Sequence, residues 1–139
     1  MKIKENIERL INEYEVDTFI SGAALGFDTI AAECVIELKK KYPHIRLLLY
    51  LPCYGQSRRW SDAQQYRYRV MLSTADEYKY ITHSEYTEEC MYKRNMEMVK
   101  DSCFCIAFCI LSASGAGLTL RNAELSGIDI INIADEIYD

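Results

Sequence analysis

Apolar residues recur along this chain with two spacings, one typical of helices and one typical of buried strands. Residues 3–14 carry apolar side chains on one helical face, and residues 27–42 repeat that spacing until Pro43 stops it. Ser61 and Thr87 are predicted to be N-caps of two further helices. Continuous apolar runs between the helices predict strands at 16–21, 45–51, 78–82, 103–111 and 128–133.

The alternation of helices with strands of this kind predicts an α/β fold, a three-layer, Rossmann-like arrangement with a mostly parallel sheet flanked by helices. The 139 residues suit one domain, 1–139. In such sheets, ligands bind outside the carboxyl ends of the strands. A site is therefore expected at the turns after residues 20, 51, 82 and 111.

The first of these turns joins a strand to a long helix and is rich in small residues. Small side chains let backbone amides approach a ligand, and the helix N-terminus favours a phosphate. A tight structural turn with Asp28 capping the helix is an equally good interpretation, and Asp28 could also accept hydrogen bonds from ribose hydroxyls. The candidate ligand-binding residues here are Ser21, Gly22, Ala23, Leu25, Gly26 and Asp28.

The last turn follows the strongest predicted strand and opens a helix that is expected to run from about Leu118 to Ser126, before Gly127. Consecutive amides in such a turn can form an anion-binding nest, and hydroxyl groups can supplement them. A flexible loop is the alternative. The candidate residues are Ser114, Gly115, Ala116, Gly117 and Thr119.

The helix after Thr87 is expected to run to about Ser102, and it adds a positive charge to the predicted edge. Arg94 and Asn95 lie beside an expected core stripe, where an arginine could pair with phosphate through its planar fork. A solvated surface arginine fits the spacing equally well. Because Cys90 stands where Glu or Gln would close a capping box, that box is expected to be incomplete. The expected stripe is Tyr92, Met96 and Val99.

Pro52 ends a predicted strand, and Trp60, in the loop beyond it, could stack on a base. The surrounding basic residues, which include Arg58, Arg59, Arg67 and Arg69, also suit single-stranded nucleic acid, although an amphipathic helix with a charged outer face explains them as well. The formal net charge of −5 argues against a nucleic-acid partner.

Composition argues against several other classes of protein. No apolar run reaches the roughly 18 residues needed to cross a bilayer, and the charged start does not resemble a signal peptide. Six cysteines without a CxxC pair favour a reducing, cytoplasmic location over disulfides, and their spacing predicts no metal site. No catalytic triad and no resident cofactor are predicted.

The chain resembles the YpsA-like branch of the SLOG superfamily, and the resemblance covers nearly its whole length. It rests on segments 19–28 (FISGAALGFD), 31–33 (AAE), 38–45 (LKKKYPHI), 51–53 (LPC), 60–61 (WS), 90–95 (CMYKRN) and 119–123 (TLRNA).

This resemblance implies a Rossmann-like fold related to the LOG phosphoribohydrolases and to the DNA-processing protein DprA. It also implies binding of nucleotides or of ligands similar to ADP-ribose. Relatives begin with a strand and a Thr-Gly-His-Arg-Pro turn that this chain does not contain. A sheet without that strand is expected to expose unpaired backbone groups, so that a partner chain, such as a second copy, or a rearranged pairing would complete it.

A second departure concerns catalysis. LOG enzymes carry a catalytic Glu after their Pro-Gly-Gly-x-Gly-Thr turn, whereas here Leu120 and Arg121 follow the turn and Glu124 comes too late. Arg94 does match the LOG helix arginine. The leading hypothesis is therefore non-catalytic binding of a phosphorylated, nucleotide-like small molecule. The alternatives are a nucleoside monophosphate phosphoribohydrolase, with Asp28 or Glu33 as its only candidate carboxylates, and a DprA-like nucleic-acid binder.

Overall fold

The computed structural model describes residues 2–107, 121 and 123–132, and these form the predicted succession of helices and parallel strands. The helices are α1 (Lys2–Tyr14), α2 (Phe27–Leu38), α3 (Asp62–Thr74) and α4 (Glu88–Lys100). The strands are β1 (Thr18–Ser21), β2 (Arg46–Leu51), β3 (Glu77–Tyr80), β4 (Phe104–Ala107) and β5 (Asp129–Asn132). Of the predicted last helix, residues 121 and 123–125 are helical, and Gly127 follows with a φ of 76°.

The strands form two separate parallel sheets. In the first sheet β2 lies between β1 and β3, with Thr18 opposite Arg46 and Leu51 opposite Tyr80. In the second sheet β4 pairs with β5. Parallel pairing throughout confirms the predicted Rossmann-like α/β class, while within the described residues no strand joins the two sheets.

Helices cover both faces of the first sheet. On one face, Leu47, Leu49 and Leu51 of β2 are buried against apolar residues of α1, α2 and α3. On the other face, Tyr50 donates a hydrogen bond of 2.7 Å from its hydroxyl to Asp101, the residue that caps the end of α4. Because alternate strand residues point to opposite faces, β2 lies in the middle of three layers.

Side-chain caps fix where α3 and α4 begin. Ser61 caps α3, and its hydroxyl accepts from the Gln64 N–H at 3.2 Å while the Gln64 side chain accepts from the Ser61 N–H at 3.0 Å. Thr87 caps α4 in the same way, with a cysteine in place of glutamine. The Cys90 Sγ accepts from the Thr87 N–H at 3.4 Å, and the Cys90 N–H donates to the Thr87 hydroxyl at 3.1 Å. The expectation of an incomplete box was therefore wrong, because a thiol can act as the weak acceptor.

The buried face of α4 also differs from the predicted stripe. Tyr92 is 44% exposed, whereas Cys90, Arg94 and Val99 are the buried residues of this helix. Cys90 and Arg94 are four residues apart and thus share one helical face. The apolar pattern missed this face because one of its members is charged.

Described helices are all too short or too polar to cross a membrane.

Candidate functional site

The turn after β1 is built by internal hydrogen bonds. The Ser21 hydroxyl donates to the Asp28 carbonyl at 3.0 Å and accepts from the Ala23 N–H at 3.2 Å. Thr29 donates from its hydroxyl to the Ala24 carbonyl at 2.7 Å. Ala23 is buried with a φ of 57°, a left-handed conformation that costs a non-glycine residue about 1–2 kcal/mol. These bonds hold the strained turn between β1 and α2.

Arg94 ties this turn to α4. Its side chain is 3% exposed, and its Nη1 donates to the Gly22 carbonyl at 2.7 Å while its Nε donates to the Asn95 Oδ1 at 2.7 Å. A Cβ atom at Gly22 would lie 2.2 Å from that Nη1. The close approach of backbone and guanidinium therefore requires glycine here.

Asp28 is the carboxylate nearest to this buried cation among the described residues. Its Oδ2 lies 4.0 Å from the Arg94 Nη2 and accepts from the Ala24 N–H at 3.4 Å, and its side chain is 30% exposed. Burial raises the pKa of Asp28 above its usual value, and the attraction of Arg94 and the Ala24 N–H offset this rise only in part. Burial likewise lowers the pKa of Arg94, opposed by Asp28. The two charges compensate each other loosely, without a close ion pair.

The first amides of α2 belong to Phe27 and Asp28, and the next, the Thr29 N–H, donates to the Ala24 carbonyl at 3.1 Å. The N-cap of α2 is Gly26, with a φ of 83° and no side chain to accept from the first amides of the helix. Leu25 beside it is exposed. Free amides at a helix N-terminus attract oxygen atoms of anionic groups.

The loop after β2 contains the other candidate residues, Pro52 and Trp60, and a buried glutamine. Pro52 is buried, and its carbonyl accepts from the Thr82 hydroxyl at 2.8 Å. Trp60 is half-buried and packs its ring against Tyr68, with centroids 5.2 Å apart. Gln56 is 9% exposed, and its Nε2 donates to the Tyr68 hydroxyl at 3.4 Å. No described residue donates to the buried Gln56 Oε1, which is left as a buried acceptor in need of a donor.

Two thiols lie behind Arg94. Cys53 and Cys90 are fully buried, and the Cys90 thiol is near enough to Cys53 to influence its ionisation. Burial first, and the Cys90 thiol second, raise the pKa of Cys53 to about 12. A thiol of this kind stays protonated at neutral pH and is a poor nucleophile or metal ligand.

The structure thus brings part of the predicted site together. Ser21, Gly22, Ala23, Asp28 and Arg94 form one network, to which Asn95 is bonded. Residues 112–120, including Ser114, Gly115, Ala116, Gly117 and Thr119, lie outside the described residues, so the convergence of the two glycine turns stays a prediction.

Two arginines of the predicted basic loop and α3 already form ion pairs with carboxylates. Arg67 binds Glu33 through two hydrogen bonds of 2.5 and 3.1 Å, and Arg58 lies 2.8 Å from Glu85. These pairs remove Glu33 from the list of free carboxylates and reduce the basic character of the loop.

Sequence reasoning missed the roles of Gln56 and of the Cys53–Cys90 pair. Neither a lone glutamine in a polar loop nor two cysteines 37 positions apart in the sequence stands out by spacing. Only the fold brings them beside Arg94 and Tyr68.

Known proteins resemble this chain over much of its length. The sequence profile of the YpsA family, described as the YspA SLOG family, matches residues 1–109. The SPbeta prophage-derived protein YoqJ of Bacillus subtilis is 35% identical over 139 aligned residues, which cover 89% of this chain and 81% of YoqJ.

Other relatives are longer than the matched region. A UPF0398 protein of Staphylococcus epidermidis is 32% identical over 99 residues, 71% of this chain and 52% of that protein. One of Brevibacillus brevis is 36% identical over 74 residues, 53% of this chain and 39% of that protein. The match to those two proteins thus spans about half of their length or less. Since the profile covers most of the chain and includes the turn, Arg94 and the thiol pair, this protein belongs to the YspA SLOG family.

Proposed function

We propose that this protein binds a phosphorylated, nucleotide-like small molecule at the carboxyl ends of β1 and β2. The observation that carries the proposal is the buried Arg94, whose charge lies under the Gly22 turn with no carboxylate closer than 4.0 Å among the described residues. A buried cation that is compensated so loosely attracts a further anion. The Phe27 and Asp28 amides at the start of α2 directly follow the same turn, and a helix N-terminus favours phosphate.

Asp28 is assigned to the sugar of the ligand. A carboxylate repels phosphate, but it accepts hydrogen bonds from ribose hydroxyls, and Asp28 is partly exposed beside the turn. Gln56 Oε1, a buried acceptor, suits an N–H or O–H donor of the ligand. Trp60 is the candidate for contact with a base.

Isothermal titration calorimetry tests the proposal with AMP, ADP-ribose, NAD and cyclic nucleotides as probes. At least one of them is expected to bind, and the Arg94→Lys variant is expected to bind it more weakly because lysine lacks the planar fork. Arg69→Ala, an exposed change on α3, is the matched control and should leave binding unaltered. A folded protein that binds no member of this panel would contradict the proposal.

A phosphoribohydrolase is the second candidate, favoured by the raised pKa of Asp28. A carboxyl group whose pKa is raised holds its proton to a higher pH, and in its protonated form it can protonate a leaving base. Release of free base from AMP, lost in the Asp28→Asn variant, would support this activity. A flat time course with a bound nucleotide would leave binding as the function.

A further inference from the structure

A slot separates the two sheets. It is a cavity of about 410 Å³, and all four residues of β1 line it, together with Cys103 and Phe104 at the start of β4. Successive strand residues point to opposite faces, so a cavity that touches all four runs along the edge of β1. Its contact with Leu47 of β2 shows that it also reaches over the face that α1 and α2 cover.

Backbone groups of β1 point into this slot. The Arg46 N–H donates to the Asp17 carbonyl at 2.7 Å, which fixes the phase of the ladder between β1 and β2. Since parallel ladders use alternate residues on each side, Phe19 also bonds to β2, while the N–H and C=O groups of Thr18 and Ile20 face the opposite edge. No other described strand pairs with that edge, so it offers the hydrogen-bonding pattern of an edge strand.

The walls of the slot specify the chemistry of an occupant. Its floor is apolar, formed by side chains of α1 and α2 such as Ile7, Leu10 and Val35. Its charged groups are all acidic, namely Glu15, Asp17, Asp28 and Asp101, and no Lys, Arg or His is among the described residues that line it. Charge complementarity therefore selects a basic partner.

We propose that the slot is a docking site for an extended peptide of another polypeptide, which adds a strand alongside β1. The peptide has apolar side chains at alternate positions, which meet the floor, and basic residues that face the four carboxylates. An apolar small molecule would fill the volume but would offer no backbone groups to Thr18 and Ile20. The peptide uses the backbone edge of β1, whereas the nucleotide is proposed to bind at the turn beyond it. Ser21 and Asp28 line the slot as well as that turn, so the two sites adjoin at this end of β1.

Fluorescence anisotropy tests the proposal with one synthetic probe. The probe is a labelled, acetylated peptide of alternating Val and Thr with Lys at one end and Arg at the other. Two matched controls are the same peptide with Glu at both ends and the same peptide with alternate backbone nitrogens methylated. The basic peptide is expected to bind at least about tenfold more tightly than either control.

Two variants of the protein test whether the peptide binds in the slot. Glu15→Gln combined with Asp17→Asn should weaken the basic peptide about threefold to tenfold. Ala31→Phe, which fills the slot, should abolish binding while the protein stays folded by its melting temperature. Glu15 and Asp17 lie outside the Gly22 turn, so the double variant should retain nucleotide binding, and loss of that binding reports separately on the proposed function.

Amide hydrogen exchange provides the direct measurement. On addition of the peptide, the Thr18 and Ile20 amides should gain protection, whereas the Phe19 and Ser21 amides are already bonded to β2. Equal affinity for the methylated peptide, or no binding of the basic peptide to the folded protein, overturns the proposal. Protection of Thr18 and Ile20 in the free protein also overturns it, because the slot would then be closed by this chain or by a second copy.

Discussion

At the scale of single residues, Gly22 and Arg94 impose the tightest constraint on the site. The guanidinium occupies the space that a side chain at position 22 would need, and its exposure of 3% leaves it little room to move away. The hydrogen bond from Arg94 to the Gly22 carbonyl depends on this missing Cβ.

Gly22→Ala is expected to lower the free energy of unfolding by about 1–3 kcal/mol, the usual cost of overpacking. Urea denaturation measures the loss. Gly26→Ala is a comparison without crowding, because a Cβ there would meet no heavy atom within 4 Å. Its cost would come from the strain of its positive φ, which removal of the Arg94 side chain should not relieve.

A double-mutant cycle isolates the contact. Removing the guanidinium with Arg94→Ala should make the Gly22→Ala change nearly neutral, so that the two costs do not add. Simple additivity would show that the crowding around Gly22 has another source.

Asp28 is expected to make the free energy of unfolding depend on pH. In the unfolded chain its carboxyl releases a proton at about pH 4, but in the folded chain its pKa is raised by burial. Between these values the folded state binds more protons, so this residue lowers the free energy of unfolding as the pH rises. Asp28→Asn should remove that fall when urea midpoints are measured from pH 4 to pH 7.

Asp76 provides the control of opposite sign. Its pKa is lowered, first by the hydrogen bond from Lys39 and then by the Leu47 N–H. Its contribution to stability is therefore present above about pH 4 and is lost as the pH falls. If Asp28→Asn and Asp76→Asn changed the pH profile in the same direction, the environment described for Asp28 would be wrong.

At the scale of elements, α4 positions the buried cation of the site through its first two turns. Thr87 and Cys90 set where the helix begins, and Arg94 follows Cys90 on the same face one turn later. A change in the first turn of α4 would therefore shift the guanidinium against the Gly22 turn.

Thr87→Ala should destabilise the protein by about 1 kcal/mol, since it removes the N-cap acceptor for the Cys90 N–H. Thermal unfolding monitored by circular dichroism checks this. Thr74→Ala, at the exposed end of α3, is the control and should stay within about 0.5 kcal/mol of the unaltered protein. Equal effects of both changes would argue against the cap.

Sequence patterns predicted the elements better than the contacts between them. Ser61 and Thr87 were recognisable as caps because short polar acceptors at helix starts are a local property. The burial of Arg94 was not recognisable, because it depends on the carbonyl of Gly22, which is 72 positions away. The thiol in the capping box was missed for a different reason: the usual pattern demands Glu or Gln.

At the scale of the whole molecule, β2 is the anchor of the first sheet. It has a strand on each side and buried leucines at alternate positions, whereas β4 and β5 have only each other among the described strands. Across the slot, Tyr14 of α1 contacts Phe104 of β4, with ring centroids 5.2 Å apart.

Native-state hydrogen exchange should therefore reveal two levels of stability. The amides of β2 are expected to exchange at least about tenfold more slowly than those of β4 and β5, because opening β2 requires loss of the main core. Phe104→Ala should widen this gap, since it removes the ring contact with α1. A single common exchange rate for both sheets would contradict a division of stability at the slot.

The thiol at the start of α4 gives the protein a built-in reporter. Cys90 is sealed from solvent while its helix is docked, and its sulfur is bonded to the Thr87 carbonyl at 2.8 Å. An alkylating reagent can reach it only when this end of α4 lifts away from the body of the protein. The rate of covalent labelling at Cys90, measured by mass spectrometry, would thus report how often the start of α4, which carries Arg94, opens. A ligand that stabilises the docked helix would slow the labelling.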